Sequence, residues 1–148
     1  MQVNYSNEDV IKSQKSIFLA GPTTRSSEIT AWRLEALEIL KQLNYDGVVY
    51  IPEHINMRNG ENYFRLREWE LLAMNSAKTI VFWVPRDKEN LLGLTTNVEF
   101  GYWIRLKKII YGRPNDAAEI RYLDWLYEKE IKQKPFDSLK EMLDYAIK

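Results

Sequence analysis

Thr79-Ile80-Val81-Phe82-Trp83-Val84 restricts the fold more than any other stretch of this chain. Every residue in it is β-branched or aromatic, no polar residue alternates with the apolar ones, and Pro85 halts it. That is the pattern of a strand buried on both faces. Three shorter runs match it: Ser16-Ile17-Phe18-Leu19-Ala20, stopped by Gly21-Pro22; Gly47-Val48-Val49-Tyr50-Ile51, broken by Pro52; and Lys108-Ile109-Ile110-Tyr111-Gly112. Strands so apolar need helices on both sides of the sheet, and helical patterns lie between them. The spacing predicts a helix with Trp32, Ala36, Leu37, Leu40 and Leu43 on its core side, capped by Ser26 or Ser27 and stopped at Asn44 to Gly47. A polar loop with Asn59-Gly60 leads to a second helix over about 63–75, with Leu66, Trp69, Leu72 and Ala73 inward. A third starts near Thr95 or Thr96, and two more cover about 117–129 and 138–147. A short strand around 131–136 is a further candidate.

The alternation β-α-β-α-β-α-β-α predicts one α/β domain over residues 1–148. Its core is a doubly wound, Rossmann-like or flavodoxin-like parallel sheet of four to five strands, and residues 1–14 form a polar lead. At 148 residues with 45% hydrophobic content the chain can bury a core as one unit. With no apolar run near the roughly 20 residues that span a bilayer and no apolar core near the N-terminus, the expectation is a cytoplasmic protein without membrane contact. The chain has no cysteine and one histidine, His54, which leaves no His- or Cys-built metal site and no disulfide. Twenty-one basic against 21 acidic residues supply no net field for a polynucleotide. The aromatic content, 13% with five Trp, suits stacking on a planar ligand or contact between subunits.

In open α/β sheets ligands bind beyond the carboxyl ends of the strands, where strand order reverses. That selects the loops with Gly21-Pro22-Thr23-Thr24-Arg25, with Pro52-Glu53-His54, from Pro85 to Thr96, and with Gly112-Arg113-Pro114. Glu99 falls within one turn of the expected third-helix start, where the helix dipole favours a carboxylate as nucleophile or base. Thr96-Asn97-Val98-Glu99 is equally a capping box, Thr as cap and Glu three residues on, which helices use for stability alone. Glu70, a second acid aimed at the same sheet end, would complete the carboxylate pair used in glycoside chemistry; otherwise it is a solvated helix residue beside Arg65 and Arg67. Trp32-Arg33 reads as a core tryptophan followed by a cation reaching for solvent along its aliphatic stem. Trp83 fits either the core or a stacked base. Asn97 can hydrogen-bond sugar hydroxyls or serve as a polar residue of the first helical turn.

Three segments together, Ser16 through Pro22, Trp69-Glu70 with the run to Val84, and Thr95-Thr96-Asn97-Val98-Glu99-Phe100-Gly101, resemble the nucleoside 2-deoxyribosyltransferase family and its nucleotide N-glycosidase relatives over about residues 16–112. The resemblance implies an N-glycosyl transferase or hydrolase working without a cofactor by double displacement. Glu99 would attack C1′ and carry the sugar as an ester, Glu70 would act on the leaving base, and a second base or water would take the sugar. Substrates would be a (deoxy)nucleoside or nucleotide and a free nucleobase, and family members commonly complete their sites in homo-oligomers. The aromatic second half, with Tyr102, Trp103, Tyr122, Trp125 and Tyr127, offers contact material.

Two positions depart from the family pattern. Phe18 stands where the transferases have a tyrosine that orients the nucleophile, leaving Thr23 or Tyr102 to supply a hydroxyl. Gly93 stands where they have an aspartate for the 5′-hydroxyl. With that acid gone, free amides after Gly21, the hydroxyls of Thr23 and Thr24 and the cation of Arg25 would suit a 5′-phosphate, and Glu53-His54 resembles the nucleotide-hydrolase branch. The readings are therefore a deoxyribosyltransferase, a nucleoside 5′-monophosphate hydrolase, or a nucleotide-sensing protein without turnover.

Overall fold

The computed structural model describes residues 1–24, 29–53 and 63–148. Its sheet has five strands, β1 (Gln2–Tyr5), β2 (Ser16–Ala20), β3 (Val48–Ile51), β4 (Thr79–Trp83) and β5 (Ile109–Gly112), all paired in parallel in the order β1-β3-β2-β4-β5. The helices are α1 (Ala31–Gln42), α2 (Tyr63–Ser76), α3 (Leu94–Trp103, continued by a 3₁₀ turn Ile104–Leu106), α4 (Arg121–Ile131) and α5 (Leu139–Ala146). None of the described helices is long and apolar enough to cross a membrane.

The strands show why no polar alternation is tolerated. Side chains alternate across a strand, so Phe18, Tyr50, Ile80, Phe82 and Tyr111 pack in one layer with Trp69, Phe100, Trp103 and Tyr127 of α2, α3 and α4. Ile17, Leu19, Val49, Val81 and Trp83 pack in the other with Trp32, Leu40, Met142 and Leu143 of α1 and α5. Both layers exclude water, which makes the architecture doubly wound. The helices that follow β2 and β4 lie on opposite faces, so the carboxyl ends of these adjacent strands part into a crevice. Gly21 lets the chain turn away there: its φ is +150°, and a Cβ would lie 2.1 Å from the carbonyl oxygen of Trp83.

Several elements differ from their sequence-based expectation. The fifth strand is β1, inside the supposed polar lead; an edge strand needs a partner on one side only, so it can be polar. Its buried Asn4 is satisfied locally, donating to Glu8 and to the Asp9 carbonyl and accepting from the Ile11 amide. The 131–136 segment contributes a single bridge, Phe136 to Gly112. Helix α4 starts four residues later than expected because Glu119 takes a φ of 52°, outside helical space. Leu72 is half exposed on α2, and Met74 fills the inward position instead. The described cap of α1 is Thr30, whose hydroxyl donates to Glu53 rather than capping the helix; Ser26, Ser27 and Asn59-Gly60 lie outside the described residues.

Candidate active site

A cavity of about 830 Å³ occupies the crevice between β2 and β4. Phe18 and Ala20 of β2, then Gly21, Thr23 and Thr24, form one wall; Arg67, Glu70 and Met74 of α2 form another; the loop at Glu89 to Gly93 and the start of α3, including Thr96 and Glu99, close it. The structure thus brings Glu70 and Glu99, some thirty residues apart in sequence, to the same cavity.

The capping-box reading of Thr96 and Glu99 does not hold. Helix α3 begins at Leu94 on a Gly93 cap with φ of 59°, which puts Thr96 inside the first turn and Glu99 in the second. Gly93 is required there twice over, by its left-handed backbone and because a Cβ would press 2.8 Å from Pro22 Cγ. Arg86, itself buried, fixes this turn: its Nη2 donates to the Gly93 carbonyl (3.3 Å) and to Asn97 Oδ1 (2.5 Å), and its Nη1 to the Glu119 carbonyl (2.9 Å).

At Glu99 burial outweighs the helix dipole. Removal from water pushes its carboxyl up to about 7, against the positive charges of Arg67 and Arg33 that favour ionisation. Burial raises Glu70 further, to about 8, opposed by Arg67, whose Nη1 lies 2.7 Å from Glu70 Oε2, and reinforced by the negative charge of Glu99. The expectation of a dipole-stabilised, freely ionised Glu99 is therefore corrected: near neutrality the site holds carboxyls that exchange protons. A pair with values near pH 7 and 8 is equipped for one group to attack and the other to donate.

Arg33 is the second correction. It does not reach for solvent; it is fully buried, ion-paired through Nη1 to Glu53, and donates to the carbonyls of Leu19 (Nε, 3.1 Å) and Gly21 (Nη2, 2.9 Å) and to Thr23 Oγ1 (3.1 Å). Burial lowers its pKa while Glu53 opposes the change. Glu53 accepts from the Thr30 amide (3.0 Å) and hydroxyl (2.9 Å) through its other oxygen, so it braces the loop after β2 rather than lining the cavity.

Other expected positions sort by location. Trp69 sits in the core, its Nε1 donating to the Glu8 carbonyl (2.9 Å), and Trp83 packs beneath α1. Pro22 accepts from Trp32 Nε1 (3.0 Å) and buttresses Gly93. Asn97 is held by Arg86, and Tyr102 is exposed; neither lines the cavity. The amide of Thr24 is not free but donates to Thr30 Oγ1 (3.1 Å). Arg25 and His54 lie outside the described residues. Sequence reasoning passed over Arg67 as a surface cation, although its i, i+3 spacing from Glu70 already placed the two on one helix face.

A doubly wound parallel sheet with an acid-lined cavity at its topological switch point defines the class of small-molecule α/β proteins that bind across that crevice. Within it, a family model described as nucleoside 2-deoxyribosyltransferase like matches residues 14–117, and the chain belongs to that family. A search of curated proteins finds no match.

Proposed function

We propose that the chain cleaves the N-glycosidic bond of a 2-deoxynucleoside and transfers the sugar to another base, with Glu99 as nucleophile and Glu70 as general acid and base. The observation that carries the reading is one cavity walled by a buried Glu70 and a half-buried Glu99, with carboxyl pKa values pushed to about 8 and about 7. A Glu99 carboxylate oxygen attacks C1′, the C1′–N bond breaks, and its electron pair leaves with the base, which Glu70 protonates. In the second half Glu70 removes a proton from the incoming base, whose nitrogen displaces Glu99 from C1′. Glu99 must be ionised and Glu70 protonated, so kcat/KM rises through pH 7, falls above pH 8 and peaks between them, with both limbs belonging to the coupled pair.

The charge of the described lining residues favours a neutral nucleoside over its 5′-monophosphate. Among the described lining residues both guanidinium groups are already paired, Arg33 with Glu53 and Arg67 with Glu70, while Glu89 and Glu99 add negative charge. The exposed apolar side chains of Phe64, Leu71, Val98 and Tyr102 on α2 and α3 support association of copies of the chain.

The test is incubation of purified protein with nucleosides and 5′-monophosphates, with and without a second free base. Base exchange on nucleosides is the expected result; free base without exchange means hydrolysis, and binding without turnover means a sensor. Glu99→Gln is expected to abolish base release while the protein stays folded, because Glu99 caps no helix; substantial remaining turnover refutes the nucleophile assignment.

A further inference from the structure

The loop after β2 holds two neighbouring hydroxyls whose hydrogen-bond direction is set by a buried ion pair. Thr23 and Thr24 both line the cavity, and both are partly exposed. Thr23 Oγ1 lies 3.1 Å from Nη1 of the buried Arg33. A guanidinium only donates, so Thr23 accepts in that contact and its own hydrogen is left over; among the described residues Arg33 is the one partner of this hydroxyl. Thr24 is set the opposite way. Thr30 has one hydroxyl hydrogen and gives it, at 2.9 Å, to Glu53 Oε2, the carboxylate that is ion-paired to Arg33. The 3.4 Å contact between the Thr24 and Thr30 hydroxyls therefore runs from Thr24 to Thr30, whose oxygen also accepts the Thr24 amide at 3.1 Å. Thr24 is left with lone pairs. The Arg33–Glu53 pair thus leaves a donor and an acceptor on successive residues of the cavity wall.

We propose that Thr23 and Thr24 form the subsite for a free hydroxyl of the sugar, which accepts from Thr23 and donates to Thr24. A hydroxyl is the group that does both at one oxygen. A phosphate dianion is all acceptor. It could take the hydrogen of Thr23, but it would face the lone pairs of Thr24 and the acids Glu70, Glu89 and Glu99 that line the same cavity. The base belongs to the other side, because Glu70, the group that protonates it, stands on the α2 wall, whereas Thr23 and Thr24 follow β2. This assignment rests on the N-glycosyl transfer reading for its substrate class, and it gives that reading a reason, independent of net charge, to expect an unphosphorylated sugar.

The experiment pairs the side-chain hydroxyls with those of the substrate. Four ligands are compared: a 2′-deoxynucleoside, its 2′,3′-dideoxy and 2′,5′-dideoxy analogues, and its 5′-monophosphate. Base release is measured as kcat/KM for the wild type, Thr23→Val, Thr23→Ser and Thr24→Val, and calorimetric Kd values are taken for the same threonine variants in a Glu99→Gln background. Thr23→Val keeps the shape of the side chain and removes the hydroxyl. It is expected to weaken the 2′-deoxynucleoside by about threefold to tenfold, the scale of one hydrogen bond, and to leave unchanged the one analogue that lacks the partner hydroxyl. Thr24→Val is expected to spare the same analogue, and Thr23→Ser, which keeps the donor, to retain wild-type affinity. Equal losses for the nucleoside and both analogues, or wild-type behaviour of either valine variant, overturn the proposal and leave the threonines as loop structure. Tighter binding of the 5′-monophosphate than of the nucleoside, with that advantage lost in Thr23→Val, also overturns it and assigns the loop to phosphate. If the wild type releases no base, the transfer reading fails; nucleoside binding that is weakened in Thr23→Val while one deoxy analogue is spared still upholds the hydroxyl subsite, and binding of no nucleoside refutes it.

Discussion

Two guanidinium–carboxylate pairs border the cavity, and they differ in how completely they are satisfied. In Arg33–Glu53 the three nitrogens of the guanidinium and both carboxylate oxygens have partners, two of them strand-end and loop carbonyls, and neither side chain meets solvent. Among the described residues Arg67–Glu70 has one ion-pair contact, a buried Nε without a partner, and a carboxyl raised to about 8. A saturated pair has nothing left to offer a ligand and serves to hold the loop after β2. An unsaturated pair keeps a proton that can move.

Arg33→Met should have the largest effect on this contrast. It strands Glu53 in the interior and is expected to cost about 3–5 kcal/mol of stability, the range for removing one member of a buried pair. Urea unfolding of Arg33→Met and Arg67→Met measures the difference; equal losses would erase the distinction between a bracing pair and a working one. Glu70→Gln should be smaller in free energy yet large in rate. Base release is expected to slow by about 100-fold or more for poorly activated leaving bases and much less for activated ones, because acid assistance matters most for weak leaving groups. Uniform slowing across leaving bases would reduce Glu70 to positioning the base.

The smallest expected effect is on stability as a function of pH. The carboxyls of Glu70 and Glu99 hold their protons more tightly in the folded chain than in the unfolded one, so between about pH 4.5 and 8 the folded state binds more protons. Their contribution to stability is present below pH 4.5 and is lost as pH rises through the folded values. Glu70→Gln should therefore lose less stability than the wild type between pH 5 and 8. Parallel curves would mean that Glu70 is not held against ionisation.

The parts of the fold that were legible in the sequence are those with local causes. β2 to β5 announced themselves because a strand buried on both faces permits no polar alternation, and Gly21-Pro22, Pro52 and Pro85 ended three of them for reasons internal to each residue. The membership of Glu70 and Glu99 in one site was suggested by residue order and family resemblance. β1 was not legible, since an edge strand of four residues resembles any polar segment until Asn4 finds Glu8, Asp9 and Ile11. The start of α3 was misplaced because Thr96 to Glu99 satisfies a capping pattern locally, whereas the contact of Gly93 with Pro22 that starts the helix earlier joins two distant loops.

The sequence by itself determined the layers, the parallel sheet and the end of it at which the cavity lies, because periodicity and turn residues act over a few positions. Only the tertiary structure decided which charges are spent and which are available. Arg33 and Arg67 are both arginines on amphipathic helices. One meets the carbonyls of Leu19 and Gly21 and the carboxylate of Glu53, while the other keeps a third of its side chain exposed and pairs with Glu70 at the cavity wall. The proton affinity of Glu99 likewise follows from how many atoms from α2, β2 and the loops displace its water, and desolvation is set by the packed neighbourhood, not by the residue or its sequence neighbours.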